Sequence, residues 1–131
     1  MKKNNILIIV SILLLIIVIV YSNNKYKKRE KHTYQNAYYS IANIDKYVVE
    51  TRARYYIYSY TFNELNYIGQ KKSNGKLDKG DKKLVMFNKN KISESFLFEN
   101  TIIPVEFLNK DTIWTIPPNF INPEDLKFLD D

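Results

Sequence analysis

The side chains able to carry out catalysis are few in this chain of 131 residues. It contains no cysteine and one histidine, His32, which lies among lysines and is best interpreted as a solvated neighbour of them. A Cys–His or Ser–His–Asp site within one chain is therefore excluded, as is a metal site built on histidine or cysteine. The carboxylates lack the spacing of a calcium-binding loop. We predict no cofactor and no metal centre, and we favour a non-enzymatic protein.

Two carboxylates close in sequence, Asp78 and Asp81, could in principle form an acid–base pair. Both flank turn glycines within a run of lysines, so solvated turn residues are the favoured interpretation. The three glycines of the chain are isolated from one another and form no phosphate-binding loop. A hydrolase that uses carboxylates or tyrosine is the least favoured function.

Aromatic residues alternate along RYYIYSYTF, residues 54–62. An extended chain places Tyr56, Tyr58 and Tyr60 on one side, which makes this segment the clearest predicted strand. These three tyrosines and Trp114 are the candidates for contact with a partner, because aromatic side chains dominate such contacts. For the tyrosines, ordinary half-buried packing in the sheet is favoured over contact with a partner. For Trp114, a position as a cap over the core is favoured.

A run of sixteen uncharged residues, ILIIVSILLLIIVIVY at 6–21, stands near the N-terminus. A helix through this run would have no polar face to expose to water, which excludes a surface helix. Its length of about 24 Å approaches the roughly 30 Å thickness of a bilayer's hydrocarbon core. We predict a single-pass anchor with its basic flank at 1–32 and one domain at 33–131. The alternative is a cleaved secretory signal ending near Ser22.

The net charge of +6 lies entirely in the first 32 residues, since residues 33–131 hold thirteen bases and thirteen acids. The segment KYKKREKH predicts a polybasic stop, attracted to anionic head groups by about 1 kcal/mol per basic residue. A second basic block, residues 71–91, holds eight lysines against two aspartates. Nucleic acid is a less favoured partner for these segments than lipid. The candidate contacts with an anionic surface are Lys25, Lys27, Lys28, Arg29, Lys31, Lys71 and Lys72.

Two cues to the side of the membrane oppose each other. The flank after the span carries more basic residues than the flank before it, and by the positive-inside rule this places the domain in the cytoplasm. A short leader with Lys2 and Lys3 is instead typical of a segment that enters the export machinery with its N-terminus inside. We favour a domain outside the cytoplasm.

The residues after the basic flank suffice for one small domain, and their composition favours strands. Asn63–Glu64 predicts a hairpin of two or more residues between RYYIYSYTF and LNYIG. KLVMF at 83–87 and ESFLF at 94–98 predict two further strands. Residues 34–44 fit either a first strand, which we favour, or a continuation of the anchor helix.

Prolines at 104, 117 and 118 exclude a long helix in the C-terminal third. Asn122, followed by Pro123 and two acidic residues, predicts the start of a short C-terminal helix that reaches Leu129. We therefore predict a mainly β fold, with an N-terminal transmembrane helix, a small antiparallel sheet or partly open barrel, and a short C-terminal helix.

The stretches YYIYSYTFNELNYIGQ and KGDKKLVMFNKNKISESFLFEN resemble a pattern of uncharacterised small single-pass bacterial membrane proteins with a β-rich domain. The resemblance covers roughly residues 1–104, and its motifs are structural. Glu64 stands where that pattern has Gly, and Lys91–Ile92 where Pro is usual. The resemblance implies a small antiparallel β domain on an anchor and brings no activity.

Together these observations lead us to expect a membrane-anchored envelope protein whose β domain binds another protein, as an accessory or immunity-like subunit does. The alternative is a module on the cytoplasmic side that binds anionic lipid or nucleic acid through its basic segments.

Overall fold

A computed structural model describes residues 2–130, with side chains from residue 5 onwards. The side chains of Lys2 and Lys3, which entered the prediction of orientation, lie outside the described residues. The chain forms one long helix, α1 (Lys2–Gln35), then five strands and two short 3-10 helices.

Residues 6–21 of α1 expose their apolar side chains all around the helix, with exposed fractions between 47% and 69% for the large ones. From Asn5 to Gln35 the helix is long and apolar enough to span a membrane. The polybasic flank is helical too, so α1 continues without a break into the domain. The strand predicted at 34–44 is therefore right only from Ala37, because Tyr34 and Gln35 close the helix.

The five strands form one antiparallel sheet in the order β3-β2-β1-β4-β5, which curls into a nearly closed barrel and confirms the predicted fold class. The strands at 54–62, 83–87 and 94–98 are confirmed, and each observed element equals or exceeds its predicted length. The observed bounds are β1 (Ala37–Val49), β2 (Arg54–Phe62), β3 (Leu65–Lys72), β4 (Lys82–Asn88) and β5 (Lys91–Phe98).

Side chains join β3 and β5, the two ends of the sheet order, where the barrel closes. Lys71 Nζ donates a hydrogen bond to the carbonyl of Leu97 at 2.8 Å. From the neighbouring β2, the Tyr60 hydroxyl donates to the carbonyl of Ile92 at 2.6 Å, and the Tyr58 and Ser95 hydroxyls lie 2.8 Å apart. Tyrosine hydroxyls thus act as cross-links through the barrel interior.

Two apolar clusters lie on opposite sides of the sheet. The inner cluster fills the barrel and consists of Ala42, Ile44, Tyr56, Tyr58, Tyr60, Leu77, Val85, Phe87 and Leu97. The outer cluster consists of Ala37, Tyr39, Leu84, Met86, Phe98 and Phe128, and is covered by the end of α1 and the C-terminal segment. β4 therefore carries apolar residues on both faces, which explains its continuous apolar run.

The β2–β3 hairpin turns in two residues, Asn63 and Glu64, since Phe62 pairs directly with Leu65. Both have positive φ, 50° and 65°, as the type I′ turn requires. Asparagine tolerates this conformation, whereas a glutamate in it costs about 1 kcal/mol relative to glycine. The ladder that follows holds the strained residue in place.

The predicted short C-terminal helix is confirmed as a 3-10 helix, Pro123–Leu129. Asn122 caps it as predicted, because its side-chain oxygen accepts a hydrogen bond from the N–H of Glu124 at 2.9 Å. The Asp125 carboxylate accepts hydrogen bonds from the Thr101 hydroxyl at 2.7 Å and from the Asn100 amide. These bonds tie the C-terminus to the segment that follows β5.

Gly69 allows the barrel to close around Tyr58. The two residues are partners in the β2–β3 ladder, and a Cβ on Gly69 would overlap the Tyr58 ring. We predict that Gly69→Ala lowers the free energy of unfolding by about 1–3 kcal/mol, as overpacking does. Urea unfolding of the full chain in detergent measures this. Gln70→Ala, on the exposed face of the same strand, is the control, and equal stability of the two variants would contradict the prediction.

Candidate functional site

The tyrosines predicted to contact a partner are buried inside the barrel. Tyr56, Tyr58 and Tyr60 are 0–2% exposed and belong to the inner cluster. The prediction of surface contact is corrected for all three, because the sheet curls their shared face inwards. The three tyrosines pack within the sheet, as the favoured alternative has it, but they are fully buried and not half-buried.

Their hydroxyls are bonded within the protein. The Tyr56 hydroxyl donates to the side-chain oxygen of Asn74 at 3.2 Å and accepts from the N–H of Leu77 at 2.9 Å. Burial raises the pKa of Tyr58 and of Tyr60 above the ordinary value for tyrosine. The phenols of Tyr58 and Tyr60 are therefore neutral at ordinary pH, and all three hydroxyls are occupied by hydrogen bonds within the protein.

Trp114 belongs to the outer layer of the domain. Its backbone N–H and carbonyl each pair with Tyr39 at 2.9 Å, and its ring packs edge-on against Phe107 at 5.3 Å and Phe120 at 5.6 Å between centroids. It is half-buried, which favours the interpretation as a cap over the outer cluster.

The basic candidates fall into two groups. Lys71 is engaged by the fold, since it bonds the carbonyl of Leu97 and lies 3.7 Å from the carboxylate of Glu99. Lys72 is exposed beside it. On α1, Lys31 is half-buried, and the exposed members are Lys25, Lys27, Lys28 and Arg29.

A groove opens where β1 and β2 separate. Their pairing ends at Asn43 and Ser59, while β1 continues along β4 as far as Ala37. The groove has a volume of about 340 Å³, near the lower end for ligand sites. It is lined by Ser40, Ile41, Asn43, Ser59, Tyr60, Thr61, Phe62, Asn63, Glu64, Asn66, Lys110, Asp111 and Ile113.

An uncovered stretch of strand edge forms one wall of this β1–β2 groove. The peptide groups of alternate residues point to the same edge of a strand. Those of Tyr39 point away from β4 and pair with Trp114, so those of Ile41 face the groove. The pairing with β2 begins only at Asn43. The peptide groups of Ile41 that face the groove therefore have no backbone partner. Those of Tyr39 and Asn43, on either side, are paired with Trp114 and Ser59.

Hydroxyl and amide side chains surround that edge. Among the described residues, those of Ser40, Asn43, Ser59 and Thr61 make no hydrogen bond to another protein group, nor do those of Asn63 and Asn66. Such groups both donate and accept, and the partly buried Phe62 supplies apolar surface. This combination suits an extended peptide, which needs backbone partners and pockets for alternate side chains.

The groove contains no nucleophile paired with a base, and among residues 5–130 no group of three or more histidine or acidic side chains could hold a metal ion. Sequence reasoning missed the groove. Its serines, threonine and asparagines are spread over residues 40–66 with ordinary spacing, and only the point where β1 leaves β2 brings them together.

Comparison of this chain with known protein families, with curated proteins and with solved structures finds no match.

The buried phenols predict loss of stability at alkaline pH. Burial raises the folded-state pKa of Tyr39, Tyr58 and Tyr60, while the unfolded chain titrates near pH 10. Their contribution is therefore complete below about pH 10 and is lost as the pH rises towards the folded pKa values. Urea unfolding of the full chain from pH 8 to 11, with absorbance at 295 nm, measures both the loss and the ionisation.

Two matched variants distinguish the effect of tyrosine ionisation on stability from the effect of losing a tyrosine hydrogen bond. Tyr58→Phe and Tyr39→Phe each remove one raised pKa, so each makes the alkaline loss less steep. At pH 8, Tyr58→Phe costs about 1 kcal/mol because it loses the bond to Ser95. Tyr39→Phe is neutral or stabilising, since the buried Tyr39 hydroxyl has no partner among the described residues. Normal ionisation of all tyrosines in the folded protein would contradict this account.

Proposed function

We propose that this chain is a non-enzymatic, single-pass envelope protein whose barrel domain binds an extended segment of another protein in the β1–β2 groove. An accessory or immunity-like subunit is the most concrete form of this role. The observation that carries the proposal is the uncovered edge of β1 at Ile41, surrounded by side chains without a hydrogen-bond partner in the described protein.

The groove supports a peptide better than a small cofactor. A strand laid beside Ile41 would gain main-chain hydrogen bonds, which give affinity in β-augmentation. The rim carries both signs of charge, Glu64 and Asp111 against Lys110, so it does not select a strongly charged ligand. Serine and asparagine side chains also suit adaptable hydrogen bonding to a main chain.

Site-specific photo-crosslinking in native membranes tests this function. A photoreactive amino acid replaces Thr61 inside the groove, and in a second variant Gln70 on the exposed face of β3. We predict that the Thr61 variant forms a discrete adduct with one partner protein and the Gln70 variant does not.

A second pair of variants checks that the groove itself is used. Ser59→Arg fills the groove and is expected to reduce partner recovery at least tenfold, whereas Gln70→Arg leaves recovery unchanged. Both residues are at least partly solvent-accessible, so folding is retained and is verified by circular dichroism. Repeated recovery of the protein alone, or equal adducts from Thr61 and Gln70, would refute the function.

We further propose that the domain lies outside the cytoplasm, on the basis of Lys2 and Lys3, which precede the span. The basic flank after the span supports the opposite side, so the test must be direct. Reporters that are active only inside or only outside the cell are fused after Asp131 in the full chain. We predict activity of the external reporter alone, and activity of the internal reporter would reverse the assignment.

A further inference from the structure

Contacts between α1 and β5 define which end of the barrel lies near the membrane. Tyr26 packs edge-on against Phe96 with 5.7 Å between ring centroids, and Thr33 donates a hydrogen bond to Glu94 at 2.9 Å. Tyr26 is nearer to the apolar span than Thr33 is, by seven residues or about 10 Å of helix, and Phe96 follows Glu94 along β5. β5 therefore runs back towards the span.

A separate contact locates the end of the barrel that is remote from the span. The N–H of Lys89, in the β4–β5 turn, donates to the carbonyl of Asn36 just after α1. This turn therefore lies at the end of the helix that is remote from the span. Both contacts give β5 the same direction.

Because every neighbouring pair of strands is antiparallel, the connections alternate between the two ends. The remote end holds the Asn63–Glu64 turn and the β4–β5 turn. The end near the span, here called the membrane-proximal end, holds residues 50–54, 71–83 and 99–108. The salt bridge between Lys71 and Glu99 joins two of these segments directly.

The membrane-proximal end faces the head-group level. Phe96 packs beside Tyr26, which lies about 8 Å beyond Tyr21 along the helix. From Phe96 the strand continues towards the span for two more residues and ends at Phe98, which in a tilted strand covers about 5 Å. With residues 6–21 in the bilayer, the end of β5 is the part of the strand nearest to the polar head groups.

Basic residues concentrate at this level. Residues 50–54, 71–83 and 99–108, together with residues 122–127, which are bonded to Asn100 and Thr101, and the helix flank 22–32, hold fourteen bases and eight acids. The rest of residues 33–130 holds four bases and five acids. Lys72, Lys76 and Lys79 are exposed, so their charges are available at the surface.

Exposed apolar side chains accompany the charges. Val49 is 65% exposed where β1 ends, and Ile102 and Val105 are about 80% exposed after β5. Lys82 holds that last segment beside the start of β4 by donating to the carbonyl of Leu108 at 2.7 Å. Basic and apolar groups on one surface are typical of protein that lies in the membrane interface.

We infer that the membrane-proximal end binds anionic phospholipid head groups and so seats the barrel on the bilayer. This surface is separate from the β1–β2 groove, and the inference rests only on residues 6–21 of α1 spanning the bilayer. The complementary charge and the depth set by α1 identify the lipid surface as the occupant.

Single labels test the seating, since the chain has no cysteine of its own. Thr51→Cys lies in the membrane-proximal end and Asn90→Cys in the remote turn, and both positions are exposed. Each full-length variant carries a bimane dye and is reconstituted into phosphatidylcholine vesicles with or without 30% phosphatidylglycerol. A small fraction of lipid carries a head-group nitroxide, which quenches nearby dye.

We expect severalfold stronger quenching at position 51 than at position 90. Quenching at 51 should increase with phosphatidylglycerol and fall in 1 M salt, where the Debye length is about 3 Å. Lys76→Gln with Lys79→Gln should remove the phosphatidylglycerol effect, while the matched pair Lys89→Gln with Lys91→Gln should retain it. Equal quenching at 51 and 90 would overturn the seating, and equal quenching in the two lipid mixtures would overturn anionic lipid binding. Neither result affects crosslinking from Thr61.

Discussion

The packing of α1 against the outer face of the sheet is the constraint on which the orientation of the domain depends. Thr33 is fully buried and bonds Glu94, and Tyr34 packs edge-on against Phe128. Only Asn36 separates the helix from β1. A helix that forms part of the domain core cannot act as a flexible tether, so the direction of the helix sets the direction of every strand.

This rigid junction separates two surfaces of different character. The β1–β2 groove includes the Asn63–Glu64 turn, which lies at the remote end of the barrel. The basic segments lie at the other end, beside the helix flank. A partner in the groove and a lipid surface beneath the barrel would therefore not compete, and neither would need the domain to move.

Local patterns in the sequence predicted the strands well, and long-range features poorly. RYYIYSYTF has an aromatic residue at every second position from Tyr56 to Phe62, so its shared tyrosine face follows from the two-residue period. The period does not say whether that face meets water or a closed interior, because closure depends on β3 meeting β5. The end of α1 was ambiguous because residues 34–44 have apolar spacing that fits both helix and strand, and pairing with β4 decides it. The groove depends on where β1 and β2 part, which no local pattern encodes.

The seam between β3 and β5 has a consequence for crowded membranes. A strand edge with free peptide groups is a template for pairing with a second chain, and Lys71 lies across this one with its amine on the carbonyl of Leu97. Anchored proteins diffuse in two dimensions and collide often. Because its amine already occupies one acceptor of that edge, the lysine that closes the barrel also disfavours edge-to-edge pairing with a second chain.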